Sequence, residues 1–270
     1  MKPRSLLLMV GLLATGLAQA GPATLEAAAA ADHRTEAYVA RDAARHPVEV
    51  LEFFGVDADD TVVELWPSAG YWTEILAPYL ADSGQYIAAV YEVGPADTPS
   101  YRRRLHGRLL GKLADQSTYG KTIVTTADAG QWTLAPDASV DVVLTFRNVH
   151  NLWWDDQAEA FFAAAHAALE PGGVLGVVDH RAKPDADPAE LKAKTTGYIR
   201  QADVIRMAEA AGFKLAASSE INANPKDDTE HPRGVWTLPP SLALGDTDRD
   251  VYQAIGESDR MTLKFVKLLN

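Results

Sequence analysis

Short apolar runs alternate with stretches of helical periodicity along most of this chain. Thr61 to Leu65, Gln85 to Tyr91, Lys121 to Thr125, Val140 to Phe146, Val174 to Val178 and Phe213 to Ala217 have the length and composition of strands. Helical periodicity falls between them, near Trp72 to Leu80, Ser100 to Leu113, Asp155 to Leu169 and Gln201 to Ala211. The stretch Asp155 to Leu169 carries one apolar stripe of Ala158, Phe161, Phe162, Ala165, Ala168 and Leu169. Glu170-Pro171-Gly172-Gly173 stops it, because proline has no amide hydrogen and clashes with the preceding turn. Gly212 is a left-handed cap for Gln201 to Ala211. Strand and helix in alternation predict a parallel sheet, and the near-continuous apolar run Val174 to Val178 predicts a strand covered on both faces. A last strand, Met261 to Leu268, follows a long irregular segment from Asn222 to Ser258 with four prolines. A loop of that length in a compact domain is functional or partly disordered. Upstream, Asp32 to Arg45 reads as a helix ended by Pro47, and Pro78 should kink or shorten the helix that contains it.

The N-terminus has a different pattern. Lys2 and Arg4 precede an apolar run from Leu6 to Ala18, and Ala18-Gln19-Ala20 is a small-x-small site, so residues 1–20 read as an export signal cleaved after Ala20. The run is short for a membrane span. The expected organisation is a signal peptide at 1–20, a leader and helix at 21–46, and one α/β domain at 47–270, in a periplasmic or secreted protein without a membrane anchor after cleavage. The 270 residues include no cysteine, which excludes disulfides and thiolate metal sites. Removing Lys2 and Arg4 takes the formal charge from −12 to −14, which argues against nucleic acid as a partner. Arg102-Arg103-Arg104, Arg108 and Lys112 form a local cationic face on a helix, as a solvated surface or a contact for an anion.

The turn after the first strand carries the first chemical signal. T-V-V-E-L-W-P-S-A-G-Y-W-T ends a strand on Glu64 and turns through Ser68-Ala69-Gly70 into a helix. Small residues in such a turn let the backbone approach a ligand, and the acid can meet a hydroxyl or a cation. The dinucleotide motif G-x-G-x-x-G is absent.

The order of elements resembles the class I S-adenosylmethionine-dependent methyltransferases from about residue 47 onward. Within that fold, E-L-W-P-S-A-G-Y-W-T-E-I-L-A-P-Y-L, V-D-V-V-L-T-F-R-N-V-H-N-L, L-E-P-G-G-V-L-G-V-V-D-H and G-E-S-D-R-M-T-L-K-F-V-K are similar to a group of exported predicted methyltransferases. The resemblance implies a Rossmann-like α/β fold: a seven-strand, mostly parallel sheet with the last strand antiparallel and helices on both faces. It also implies S-adenosylmethionine as cofactor and a small-molecule acceptor. Glu64 and Gly70 then fall beside the cofactor's methionine part, Glu92 at the ribose hydroxyls, Asp128 at the adenine amino group, and Asn148 along the cofactor after the fourth strand. Trp66 and Ser68 stand where the family has the first two glycines of G-x-G-x-G. Trp66 and Pro67 there stiffen the turn and put bulk beside the cofactor's amino-acid end, unless Trp66 packs against the sheet.

Asn148 and His150 are alternate residues, so an extended chain would point both to one side. His150 is the candidate base for an acceptor proton and His180 its assistant, since imidazole exchanges protons near neutral pH. Two other readings stay open. S-adenosylmethionine is made in the cytoplasm, so the alternative for an exported relative is a nucleoside-like or aromatic ligand bound between Trp66, Tyr71, Trp72, Trp153 and Trp154. A metal-assisted catalyst would draw on Asp179, His180, His150 and His231 with Glu230. Arg41, Asp42 and Arg45, with Glu257 to Arg260, are charged groups that pair with one another or hold an acidic acceptor.

Overall fold

The computed structural model describes residues 21–128 and 130–269; the expected export signal lies outside them. Eight strands form one sheet: β1 (Thr61–Leu65), β2 (Gln85–Val90), β3 (Ile123–Asp128), β4 (Gln131–Trp132), β5 (Val140–Phe146), β6 (Leu169–His180), β7 (Phe213–Ser219) and β8 (Arg260–Lys267). Their order across the sheet is β4-β3-β2-β1-β5-β6-β8-β7. β3, β2, β1, β5 and β6 are parallel, and β8 runs antiparallel between β6 and β7. The seven expected strands are all present. The eighth, β4, is a two-residue hairpin arm on the β3 edge, too short to leave a pattern in the sequence.

Two apolar layers cover the sheet. One face packs β1, β5, β6 and β8 residues such as Val63, Val143, Val177 and Leu263 under the helices Ala158–Ala168 and Gln201–Ala210. The other buries Val62, Tyr86 and Leu144 beneath the helices Pro47–Phe54, Thr73–Tyr79 and Ser100–Leu113. Gly176 sits where Phe54 lies directly on β6: a Cβ there would come within 2.8 Å of the Phe54 ring. That contact needs glycine at the middle of an otherwise branched strand.

One local expectation is corrected. Asp32 to Arg45 is two short turns, Glu36–Val39 and Asp42–Arg45, and Pro47 begins a helix rather than ending one. Proline is favourable at a first helical position, where its missing amide is not needed. Pro78 lies in the last turn of Thr73–Tyr79, and His33 Nε2 lies 2.8 Å from the Glu74 carbonyl that Pro78 cannot satisfy. The segment 222–258 is ordered by side chains. Asp227 accepts hydrogen bonds from Tyr198 (2.8 and 2.9 Å) and from the Thr229 and Asp259 amides, and helix Arg249–Ile255 lies within it. No helix among the described residues is long and apolar enough to cross a membrane.

Candidate functional site

Strand alternation turns Glu64 inward near the end of β1. It is 2% exposed and accepts hydrogen bonds from the Tyr86 hydroxyl (2.6 Å) and Thr73 (3.2 Å). Burial pushes its carboxyl up to about 7, against the pull of those two hydroxyls. A folded-state value above the ordinary 4.5 means that Glu64 supports the fold fully below that pH and loses its contribution as pH rises through 7. Glu64→Gln keeps an acceptor for Tyr86 and removes the charge. Its unfolding free energy should therefore decline less than wild type from about pH 4 to pH 8, by about 3 kcal/mol. Urea titrations at both pH values check this; parallel wild-type and variant curves would contradict it.

The turn that follows has left-handed backbone at Trp66 (φ 47°), Ser68 (φ 60°) and Gly70 (φ 89°). Only the last is glycine, so the turn carries strain at the other two. Gly70 faces the helix Ser100–Leu113: a Cβ on it would lie 3.3 Å from Lys112 and 3.4 Å from Leu109.

Trp66 leaves this turn toward β3. Its Nε1–H donates to the Ala127 carbonyl at 2.7 Å, its ring meets Tyr91 edge-on with centroids 6.1 Å apart, and it tilts against Trp132 at 6.2 Å. Arg102 stands 5.9 Å from the ring centroid. The indole thus reaches from β1 across the end of β2 to β3, two strand spacings or about 10 Å. The sequence left two places for its bulk, beside the amino-acid end of a ligand or against the sheet; the indole packs against the sheet, over the tips of β2 and β3.

The other candidates fall on either side of that indole. Glu92, two residues past β2, donates its backbone N–H to Asp128 Oδ2 at 3.1 Å, and the two line a depression of about 250 Å³ with Arg102. Glu64 and Asn148 line a different cavity, of about 220 Å³, with Trp66, Tyr71 and Trp72. Asn148 is not extended with His150. It precedes the helix Val149–Trp154 and donates to the Leu65 carbonyl at 2.9 Å, because β5 turns directly into that helix. Trp153 and Trp154 lie elsewhere, Trp154 on a third cavity of about 720 Å³ with Trp236 and His231. The five aromatics therefore do not share one pocket.

A polar network occupies the ends of β5 and β6. Asp179 accepts the backbone amides of His150 (2.9 Å) and His180 (2.7 Å) and the His150 Nδ1–H at 2.7 Å. That fixes the ring and leaves His150 Nε2 as the lone-pair nitrogen, with no hydrogen bond among the described residues. Its ring lies edge-on to Trp154, 5.2 Å between centroids. His180 is placed differently. Arg147 Nε donates to its Nε2 at 3.1 Å, so the ring proton sits on Nδ1 and is given to Ser258 Oγ at 2.5 Å. Burial, and then the Arg147 charge, hold His180 well below the ordinary histidine range, as a neutral ring with both nitrogens engaged. Donor atoms of His150, Asp179 and His180 lie within 4.8 Å of one another, as do those of Asp227, Asp228 and His231. Glu230 is not among them; it pairs with Lys183.

Arg147, Ser258 and Trp132 escaped the sequence reading as site residues. Arg147 had one signal, an arginine directly after an apolar strand in F-R-N-V-H. Ser258 had one too, its place in G-E-S-D-R within the group Glu257 to Arg260, but its partner 78 positions away was not legible.

Solved structures share this architecture. An S-adenosylmethionine-dependent methyltransferase from Aquifex aeolicus aligns with 85% of this chain and 93% of its own at TM-score 0.56 and 14% identity. The chain has the class I S-adenosylmethionine-dependent methyltransferase fold. Phosphoethanolamine N-methyltransferase 2 of Haemonchus contortus, in complex with S-adenosyl-L-methionine, matches 83% of this chain and 53% of its own at TM-score 0.53 and 13% identity. The [4+2]-cyclase SpnF matches at TM-score 0.60 and 14% identity over 88% of this chain and 86% of its own, so the class I fold is not tied to one chemistry. No protein-family model and no curated protein matches the sequence.

The class I fold implies S-adenosylmethionine, and the site meets that cofactor in donors but not in space. Glu92 and Asp128 put two carboxylates at adjacent strand tips, while the Trp66 indole stands between them and the Glu64–Asn148 cavity. Each cavity is smaller than the about 300–1,000 Å³ of ordinary small-molecule sites. With Trp66 in this position the residues do not form one adenosyl pocket.

Proposed function

We propose that the chain is an exported S-adenosylmethionine-dependent methyltransferase of a small molecule, with a cofactor cleft that Trp66 closes in the conformation described here. The observation that carries this reading is the hydrogen-bonded pair Glu92–Asp128 at the tips of adjacent parallel strands, in the class I strand order. S-adenosylmethionine, when bound, supplies an electrophilic methyl group. The chain's own part is to position an acceptor and remove its proton. In this reading Glu92 and Asp128 are the nucleoside-side carboxylates, and Glu64, Gly70 and Asn148 shape the opposite end. His150, held by Asp179, is the base, and His180 acts by orienting Arg147 and Ser258 around it.

A second reading is favoured by Trp66 itself: a class I relative that binds a small ligand without methyl transfer, the indole standing permanently in the nucleoside position. Calorimetric titration of the protein with S-adenosylmethionine and S-adenosylhomocysteine separates the two. Micromolar binding, weakened in Asp128→Ala, supports methyl transfer. A folded protein that gives no heat with either compound belongs to the second reading.

A further inference from the structure

The cavity between the ends of β1 and β5 gathers more positive charge than the chain neutralises. Arg41, Arg45 and Arg147 all line it, and Arg260 stands behind them, 3.1 Å from Glu257. Glu257 serves three of these guanidiniums at once, at 2.7 Å from Arg41 and 3.4 Å from Arg45 as well. The other nearby carboxylates are engaged. Asp42 holds Arg34 and Tyr71, Asp179 holds His150, and Glu64 faces the cavity with its carboxyl pushed up to about 7. Arg147 has no carboxylate; its one side-chain hydrogen bond among the described residues goes to the neutral His180 ring.

The donors left over point to what is missing. Neither Nη atom of Arg45 or of Arg147 makes a hydrogen bond among the described residues, where only their Nε atoms are engaged; Arg147 is partly exposed, and Arg41 Nη2 is buried without a partner. Arg45 is 5% exposed. Burial holds Arg45 down to about 9, with Arg147 the next cause, and holds Arg147 down to about 10. Guanidinium donors that line a cavity and are left over from protein partners are available to a ligand, and planar donor pairs match the two oxygens of a carboxylate or phosphate.

We propose that this cavity binds a small oxyanion, the carboxylate or phosphate group of the protein's small-molecule ligand, between Arg45 and Arg147. The stacked pair Trp72 and Phe146, with centroids 3.9 Å apart, gives the cavity a flat apolar wall. Its 220 Å³ is roughly seven water volumes of about 30 Å³, room for an anionic group on a single ring. Naming that ligand as the methyl acceptor rests on the proposed function; the anion site itself does not.

Thermal melts and calorimetry of the full chain with inorganic phosphate and with benzoate test this, against sodium chloride at equal ionic strength. Either anion is expected to raise the melting temperature beyond the chloride control and to bind saturably, and the tighter of the two tells a phosphate ester from a carboxylate. Arg147→Met should weaken that binding by about tenfold or more while circular dichroism shows the variant folded. Should that variant not fold, the partly exposed Arg41→Met is expected to weaken binding in the same direction. No effect beyond chloride, or full affinity in the folded Arg147→Met variant, would overturn the proposal. Mutual exclusion of phosphate and S-adenosylhomocysteine would also overturn it, by assigning the guanidiniums to the cofactor's own carboxylate. Anion binding without any S-adenosylhomocysteine binding keeps the site and removes methyl transfer.

Discussion

Trp66→Gly is expected to raise the affinity of the protein for S-adenosylhomocysteine by roughly 100-fold. On the proposed function, the ligand's nucleoside end displaces the indole in the wild type. That breaks the 2.7 Å bond to Ala127 and separates the ring from Tyr91, Trp132 and Arg102. A partly buried hydrogen bond and these ring contacts together are worth about 3 kcal/mol, and each 1.4 kcal/mol is about tenfold in affinity. Glycine also suits the left-handed backbone at this position, so the variant relieves strain as it opens the cleft. Calorimetry on wild type and variant, with circular dichroism to establish folding, measures the effect. Equal affinities in two folded proteins would mean that the indole is not in the ligand's way.

The second large effect concerns Glu257. Replacing it with glutamine leaves Arg41, Arg45 and Arg260 facing one another with no carboxylate between them, and the expected loss of stability is about 3–5 kcal/mol. The pH dependence has the opposite sign to that of Glu64. Although burial alone would raise it, the surrounding arginines hold the Glu257 carboxyl down to about 2. Its contribution is therefore present above the ordinary 4.5 and is lost as pH falls toward 2. Denaturant titrations in that acid window should show wild type weakening steeply and Glu257→Gln weakening less. Added phosphate should also stabilise the variant more than wild type, because an anion in the neighbouring cavity replaces part of the missing charge. A variant as stable as wild type at neutral pH would show that the arginines are adequately solvated without Glu257.

These two residues also mark how far the sequence could be read. Glu257 was legible as one of the charged groups to pair with Arg41 and Arg45 or to hold an acidic acceptor, but not as the single counter-ion of three arginines. Arg41 and Arg45 lie more than two hundred positions away from it. Trp66 was legible as a departure from a glycine motif, but the direction of its side chain was not, because that depends on the left-handed turn and on acceptors at the end of β3. As alternate residues of an extended chain Asn148 and His150 would share a side; the immediate start of Val149–Trp154 sends one to β1 and the other to β6. Pro47 was read as a stop and is a start, since proline both ends a chain segment and suits the first turn of the next helix.

By itself, the sequence determined the alternation of strands and helices, the parallel sheet, the sharp stop at Glu170–Gly173 and the residues that reach the strand ends. All of these follow from periodicity and backbone sterics acting over a few neighbouring positions. Only the tertiary structure decided that the carboxylates fall into two cavities with an indole between them, that His150 keeps one ring nitrogen unengaged while both nitrogens of His180 are taken up, and that three arginines share one buried carboxylate. Those outcomes depend on which distant side chains meet after burial has removed water as the alternative partner, and no local pattern along the chain records that choice.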